Sequence, residues 1–132
     1  MTVSLRPVQL DDEMFLFGVY ASTRADEMSL VDWAQEQKDA FLHMQFEAQR
    51  RHYLSQYPRA QYYVIERAGG PIGRMIVDRS NQAILLMDIA LLPEHRNMGY
   101  GSTLIKELLH EADRANRPVQ LHVESFNPAM NL

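Results

Sequence analysis

The chain of 132 residues has a length that suits one domain with a substantial hydrophobic core. Its formal net charge of -4 comes from 17 acidic and 13 basic side chains scattered along the sequence, and without a basic stripe nucleic acid is not expected as a partner. The absence of cysteine excludes disulfides, thiolate metal ligands and a cysteine nucleophile, so any group transfer is expected to be direct.

The beginning of the sequence carries no targeting signal that we recognise. Residues 1–6 lack the basic and apolar regions of a signal peptide, and the sequence has no long uncharged apolar run. A soluble cytoplasmic protein without membrane contact is therefore expected.

The first half of the chain predicts a strand and two helices. Residues 3–7 alternate as in a short strand, and the acidic residues 11–13 then favour a helix N-terminus. Apolar side chains at helical spacing between residues 41 and 53 predict a long second helix. Asp32 is its predicted N-cap, and Pro58 ends it.

The second half predicts a sheet with one crossover. Runs 62–65 and 75–77 flank a Gly-Gly-Pro turn, which indicates an antiparallel hairpin, and the apolar run 83–92 is predicted to be the central strand. A helix with its apolar face at residues 104–112 and a strand at residues 119–123 follow, so this last strand should lie parallel to the central one.

A glycine-containing segment, residues 93–102, separates the central strand from that helix. Gly99 and Gly101 let backbone approach a bulky anion, the first N–H groups of the helix point at it, and Arg96 supplies positive charge. The phosphate-loop patterns typical of ATP and dinucleotide binding are both absent.

The segment Arg96-Asn97-Met98-Gly99-Tyr100-Gly101 resembles the signature [QR]-x-x-G-x-[GA] of the GNAT superfamily of acyl-CoA-dependent N-acyltransferases. The likeness covers nearly the whole chain, including the Leu5-Arg6-Pro7 opening. It implies an α/β (α+β) fold, with a mixed, mostly antiparallel, twisted sheet, helices on both faces, and a pyrophosphate-binding loop between central strand and helix. The implied unit is a single domain over residues 1–132.

The resemblance also implies which residues hold acetyl-CoA. The pantetheine arm pairs with the backbone of the central strand, and the pyrophosphate rests on the glycine segment. The implied cofactor-binding residues are Ile89, Ala90, Leu91, Arg96, Asn97, Met98, Gly99, Tyr100, Gly101, Ser102 and Asn127. Asn127 stands before Pro128, a pair that is also a good helix N-cap and first turn.

The C-terminus departs from the family pattern. Relatives continue beyond the position of Leu132 with a Tyr that is often proposed to protonate the leaving thiolate. The sequence is therefore expected to be C-terminally truncated, with the final strands missing, unless a partner supplies the missing edge.

Two residues are candidates for the base that deprotonates the acceptor amine. His122 lies on the strand beside the central one, and imidazole as a group titrates near neutrality, although a single histidine in a strand is also an ordinary sheet residue. Asp88 is an acid within an apolar run, where burial favours the neutral form, and a structural hydrogen-bond acceptor is its alternative role. Glu124 shares the alternation of His122 and could orient it.

Other polar residues give weaker indications. His43, His52 and His110 have no partners at ligand spacing, so no metal site is expected. In the family, the region between the first two helices lines the acceptor pocket; here it contains Asp26 and Glu27, together with Met28 and Trp33.

These features predict an N-acyltransferase that moves an acetyl group from acetyl-CoA to a primary amine of a small molecule or peptide. The alternatives are a non-catalytic acyl-CoA-binding regulatory module and an interaction scaffold whose glycine segment is only a tight loop. The oligomeric state stays open, with a homodimer as one option.

Overall fold

The computed structural model describes residues 2–122 and arranges them around a five-stranded sheet whose neighbouring strands follow chain order. The strands are β1 (Val3–Pro7), β2 (Gln61–Arg67), β3 (Gly70–Arg79), β4 (Ile84–Leu91) and β5 (Val119–Leu121). The first four pair antiparallel, and β5 pairs parallel with β4. The predicted mixed, mostly antiparallel sheet is confirmed.

Four α-helices connect these strands. They are α1 (Glu13–Thr23), α2 (Ala25–Ser29), α3 (Gln35–Gln56) and α4 (Tyr100–Ala115), and short 3-10 helices precede α1 and α4. Asn116 ends α4 in the left-handed conformation with φ 56°, as its sequence position before Pro118 predicts. α3 corresponds to the long predicted helix, and α4 corresponds to the helix predicted after the glycine segment.

The start of α3 differs from the prediction. Ala34 is the N-cap residue, and the side chain of Gln37 accepts a hydrogen bond from the Ala34 N–H at 3.2 Å. Asp32 lies in an irregular segment upstream, so the prediction that it caps this helix is wrong. The side chain of Gln37 takes over the capping contact from inside the first turn.

Helices cover both faces of the sheet, as predicted. Side chains of β3 and β4 alternate between the faces: Val77 and Leu86 pack on α4, whereas Ile76 and Met87 pack on Tyr53 of α3. The buried face of α4 consists of Tyr100, Leu104, Leu108 and Ala112. Leu109 was predicted on this face, but it is 50% exposed, and Tyr100 at the start of the helix is buried instead.

A β-bulge in β4 interrupts its regular pairing with β3. Ile76 pairs with Asp88 and the next residue of β3, Val77, pairs with Leu86, so Met87 is an extra residue on β4. Because of this extra residue, both Met87 and Asp88 face α3. The bulge therefore turns β4 just where its pairing with β5 ends.

None of the helices within residues 2–122 is both long enough and apolar enough to cross a membrane.

Candidate functional site

The edge of β4 opens where β5 stops following it. β5 pairs with β4 from Ile84 to Leu86, and the His122 N–H donates to the Leu86 carbonyl at 3.0 Å. Beyond Leu86, β4 continues to Leu91 without a strand partner on this side among the described residues. In this segment every second residue turns its N–H and C=O groups toward the open edge, where an extended ligand could pair with them as an added strand. The Leu91 carbonyl already accepts a hydrogen bond from Arg96.

A cleft of about 500 Å³ lies along this open edge. It is lined by Thr23, Ile89, Ala90, Leu91, Arg96, Asn97, Gly99, Tyr100, Gly101, Ser102 and Ile105. Every predicted cofactor-binding residue within the described chain lines it except Met98, which is 59% exposed. The structure thus brings the central strand and the glycine segment together in one concave surface.

The loop leading into α4 has an unusual backbone. Asn97 and Gly99 both adopt left-handed conformations, with φ 61° and 84°. A Cβ on Gly99 would meet no atom within 4 Å, so it is the backbone angle that favours glycine there. Residues of alternating hand turn successive N–H groups toward one side, a geometry that binds anions.

The N-terminus of α4 adds further backbone N–H groups to the same side of the cleft. Gly99 is the N-cap, and Tyr100, Gly101 and Ser102 form the first turn. Helix geometry leaves the N–H groups of this turn without intrahelical acceptors, and the helix dipole places partial positive charge there. A pyrophosphate at this point would be contacted by backbone donors, as in other helix N-terminal phosphate sites.

Arg96 ties the loop to two other elements. Its Nε donates to the Leu91 carbonyl at 2.9 Å, and its Nη2 donates to Ser22 Oγ of α1 at 3.2 Å. The side chain is exposed and lines the cleft. Arg96 therefore positions the loop and also adds positive charge to the cleft.

Asp88, one of the two predicted bases, is paired with a buried arginine. Arg74 Nε donates to Asp88 Oδ2 at 2.6 Å, and Arg74 Nη2 donates to Gln49 Oε1 at 2.8 Å. Arg74 is 7% exposed, so its charge depends on this carboxylate for compensation. Gln49 of α3 is also buried, although it is polar, and its side-chain oxygen accepts one of the hydrogen bonds of Arg74.

His122, the other predicted base, lies at the point where β4 and β5 separate. Its ring packs edge-on against Tyr53 and Tyr57 of α3, with ring centroids 5.6 and 5.9 Å away. It lines a neighbouring polar pocket with Tyr57 and Asp78 rather than the cleft itself. The two candidate bases are therefore on the α3 side of the sheet, one on each side of the bulge.

Other predicted residues fall away from the cleft or outside the described chain. Asn127 and Glu124 lie beyond the described residues. Upstream of α3, Glu27 of α2 forms an ion pair with Arg24 at 3.7 Å, and Trp33 packs edge-on against Phe41. Residues 26, 27, 28 and 33 do not line the cleft.

Sequence reasoning missed two contributors to this region. Thr23 lines the cleft from the end of α1, and Ile105 lines it from the second turn of α4. It also missed the Arg74 partner of Asp88, although opposite charges inside two apolar strands of one hairpin are a signal for such pairing. Residues 2–122 contain no cluster of three or more His, Cys, Asp or Glu side chains that could hold a metal ion.

Comparisons with known proteins agree with this geometry. The model of the acetyltransferase (GNAT) family matches residues 27–132. No curated protein sequence matches the chain significantly.

Solved structures share the fold at low sequence identity. PaiA N-acetyltransferase from Thermoplasma acidophilum, in complex with coenzyme A, has a TM-score of 0.64 at 15% identity, over 99% of this chain and 85% of that one. Ribosomal-protein-alanine N-acetyltransferase from Brucella melitensis biovar Abortus 2308 has a TM-score of 0.57 at 17% identity, over 96% and 83% of the two chains. An acetyltransferase described as putative, from Pyrococcus furiosus, has a TM-score of 0.55 at 18% identity, over 98% and 88%.

Proposed function

Because the chain belongs to the acetyltransferase (GNAT) family, we propose that it transfers an acetyl group from acetyl-CoA to a primary amine of a small molecule or a peptide. The observation that carries this proposal is the cleft in which the open edge of β4 meets the left-handed loop and the first turn of α4. The coenzyme A bound to the Thermoplasma relative supports the choice of acyl donor. The ribosomal-protein substrate named for the Brucella relative supports a peptide acceptor as one class.

The residues of the cleft suit the parts of acetyl-CoA. The first-turn N–H groups of Tyr100, Gly101 and Ser102, with the Arg96 guanidinium nearby, would hold the pyrophosphate. A negative charge near a helix N-terminus is generally stabilised by about 0.3–1 kcal/mol. The edge of β4 at Ile89, Ala90 and Leu91 would pair with the amide groups of the pantetheine arm, through the N–H and C=O groups that do not point to β3.

Acetyl-CoA supplies a thioester whose carbonyl carbon an amine can attack, with the coenzyme thiolate as leaving group. The chain's own contribution to this step is electrostatic. A backbone N–H of β4 at the bulge end of the cleft would donate to the carbonyl oxygen as negative charge develops there. Removing one donor of this kind costs about 2.7–4 kcal/mol of transition-state stabilisation in other enzymes.

An ammonium acceptor must lose a proton before it attacks, since a lysine-type amine has a pKa of about 10.4. We assign this proton transfer to His122, directly or through a water molecule, because it lies next to the open edge of β4 and pairs with no cation within residues 2–122. Asp88 is the less suitable base, since it already serves as the counterion of Arg74.

The proposal is tested by binding and turnover in sequence. Calorimetry should detect acetyl-CoA binding, and release of free CoA should follow when the chain is mixed with an acceptor from a panel. The panel contains small primary amines and a peptide with an N-terminal alanine. Absence of acetyl-CoA binding would contradict the whole proposal. Binding without CoA release from any acceptor would support the non-catalytic acyl-CoA-binding module instead.

A further inference from the structure

A second cavity, of about 580 Å³, lies on the α3 side of the sheet. Apolar side chains from α1, α3 and β3, among them Leu16, Phe46, Leu54 and Ile76, form much of its wall. It shares no lining residue with the cofactor cleft. Its volume is in the range of cavities that bind small molecules.

Tyr62 lines this cavity and carries a polar atom that has no partner among residues 2–122. The Tyr62 hydroxyl is buried and makes no hydrogen bond within the described part of the chain. Burial raises the pKa of Tyr62, while the nearby charges of Arg74 and Arg50 act in the opposite direction. The hydroxyl is therefore a neutral donor close to two guanidinium groups, and leaving such a donor unpaired is unfavourable.

The same cavity is lined by a buried guanidinium that is only partly used. Arg74 donates from Nε to Asp88 and from Nη2 to Gln49, and its Nη1 makes no hydrogen bond to any residue within 2–122. An arginine carries five N–H donors and no acceptor. The cavity thus offers unpaired donors and apolar surface, and the complement of unpaired donors is an oxygen acceptor.

Charge decides which acceptors are suitable. Arg50, at the mouth, is already held by Glu13 at 2.8 Å and by Glu47 at 3.2 Å, and Arg74 is compensated by Asp88. No surplus positive charge is left that demands an anion, whereas a cationic amine would face two guanidinium groups. A carbonyl oxygen satisfies the donors, and a carboxylate does so as well.

We propose that this cavity is a second ligand site, separate from the acyl-transfer cleft, for a small molecule with an apolar body that ends in a carbonyl or carboxylate oxygen. The oxygen accepts hydrogen bonds from Tyr62 Oη and Arg74 Nη1, and the apolar body packs on Phe46 and Ile76. The half-exposed side chains of Arg50 and Leu54 move aside to admit it.

Three probes with one carbon skeleton test the chemistry. Phenylacetamide, phenylacetate and phenethylamine are titrated into the full chain, and dissociation constants are measured from NMR chemical-shift changes. The proposal requires that phenylacetamide or phenylacetate binds more tightly than phenethylamine. Binding of both oxygen probes indicates a carbonyl ligand, and binding of phenylacetate alone indicates a carboxylate. Equal or tighter binding of phenethylamine, or no binding by any probe, overturns the proposal.

Two variants locate the site. Tyr62→Phe should weaken the oxygen probes by about five- to tenfold, because one hydrogen bond is lost. Its melting temperature should stay the same or rise, since the removed hydroxyl has no partner in the free protein. Tyr57→Phe, a tyrosine outside this cavity, is the matched control.

Leu54→Trp fills the mouth of the cavity and should abolish binding of the oxygen probes. Leu109→Trp, at a similarly exposed position on α4, should not affect it. The probes should also bind equally with and without saturating acetyl-CoA. Competition between probe and acetyl-CoA, or unchanged probe binding in Leu54→Trp, would place the probes elsewhere and overturn the proposal. Because no acyl transfer is measured, this result is independent of the proposed function.

Discussion

Asp88 and His122 show how the contacts of a side chain decide between two chemical roles. The Asp88 carboxylate contacts the guanidinium of Arg74 at 2.6 Å, and protonating it would leave a buried cation without compensation. His122 has only aromatic ring contacts and a backbone hydrogen bond among the described residues. Proton transfer at His122 therefore disrupts no ion pair, which favours it as the base.

Replacing His122 with alanine tests this assignment. We expect turnover of an amine substrate to fall by about 10²–10⁴, the usual contribution of a general base. Rates of CoA release are compared for the two proteins between about pH 6 and pH 9, so that the decrease is measured over a range of conditions. His110→Ala, on the exposed face of α4, is the control. A variant rate equal to the wild-type rate across this range would leave His122 with a packing role only.

Asp12 gives the chain an acid-sensitive contact. Arg6 donates to both of its carboxylate oxygens at 2.8 Å, and the Gln9 N–H donates to Oδ2 at 2.7 Å. These hydrogen bonds, that of Arg6 above all, lower the pKa of Asp12 from 3.8 to about 2. Because the folded value lies below the unfolded one, the stabilisation is present above pH 3.8 and is lost as the pH falls through about 2.

The expected consequence is a change in the acid limb of the stability curve. Asp12→Asn should lower the melting temperature at neutral pH and make it less dependent on pH between 3.8 and about 2. Melting curves recorded at closely spaced pH values measure both effects. Asp11→Asn, at the exposed neighbouring position, should retain the wild-type slope. An unaltered slope in Asp12→Asn would show that another group controls the acid limb.

The contact between β3 and β4 depends on a glycine. Gly73 faces Leu91 in the strand pairing, and a Cβ built on it would collide with the Ala90 carbonyl oxygen and lie 3.1 Å from the Leu91 Cα. These are backbone atoms, so rotation of a side chain cannot relieve the clash. Gly73 thus allows β3 to lie close behind the segment of β4 that lines the cleft.

Gly73→Ala should therefore be destabilising and should also disturb the cleft. We expect the free energy of unfolding to fall by about 1–3 kcal/mol or more, as for other overpacked positions, and acetyl-CoA binding to weaken. Urea denaturation and calorimetry measure the two effects. Gly18→Ala is the control: its Cβ meets no atom within 4 Å inside α1, and alanine there should stabilise by about 0.4–1 kcal/mol. Wild-type stability in Gly73→Ala would contradict the tight contact.

At the scale of elements, the sequence predicts those helices, strands and turns that depend only on residues close together in the chain. Alternation and turn residues predict the hairpin of β2 and β3, and the glycine segment predicts the start of α4, because neighbouring residues alone specify these features. The bulge at Met87 was not predicted, since it is defined by pairing with β3. The burial of Gln49 was not predicted either, because it depends on Arg74 from a distant strand. The loop half of the site was thus predictable, and the contributions of Thr23 and Arg74 were not.

At the scale of the whole molecule, the net negative charge of the protein opposes binding of an anionic ligand. The formal net charge is -4, so coenzyme A, which carries several phosphate charges, is repelled by the protein at long range. Attraction must come from groups in the cleft itself. These are the first-turn N–H groups of α4, the left-handed loop and Arg96. Affinity for acetyl-CoA should accordingly depend strongly on the loop backbone.

A bound ligand stabilises the fold that binds it, so this dependence can be measured as thermal stability. Free acetyl-CoA at about 100 times its dissociation constant should stabilise the chain by about 2.7 kcal/mol. For a chain of this length the melting temperature should then rise by roughly 5–15 °C. Gly99→Glu should eliminate this shift, because it places a carboxylate and a longer side chain at the proposed pyrophosphate site.

Gly99→Ala separates charge from backbone strain. Both variants place a side chain at a residue with φ 84°, so both should lower the free energy of unfolding of the free protein by about 1–2 kcal/mol. The melting temperature should fall accordingly. Space around the Cβ is open, so alanine adds no steric contact within the protein and should retain part of the acetyl-CoA shift. A shift of wild-type size in Gly99→Glu would contradict the loop assignment. Equal loss of the shift in both variants would instead assign the effect to the left-handed backbone, with no direct repulsion of the pyrophosphate.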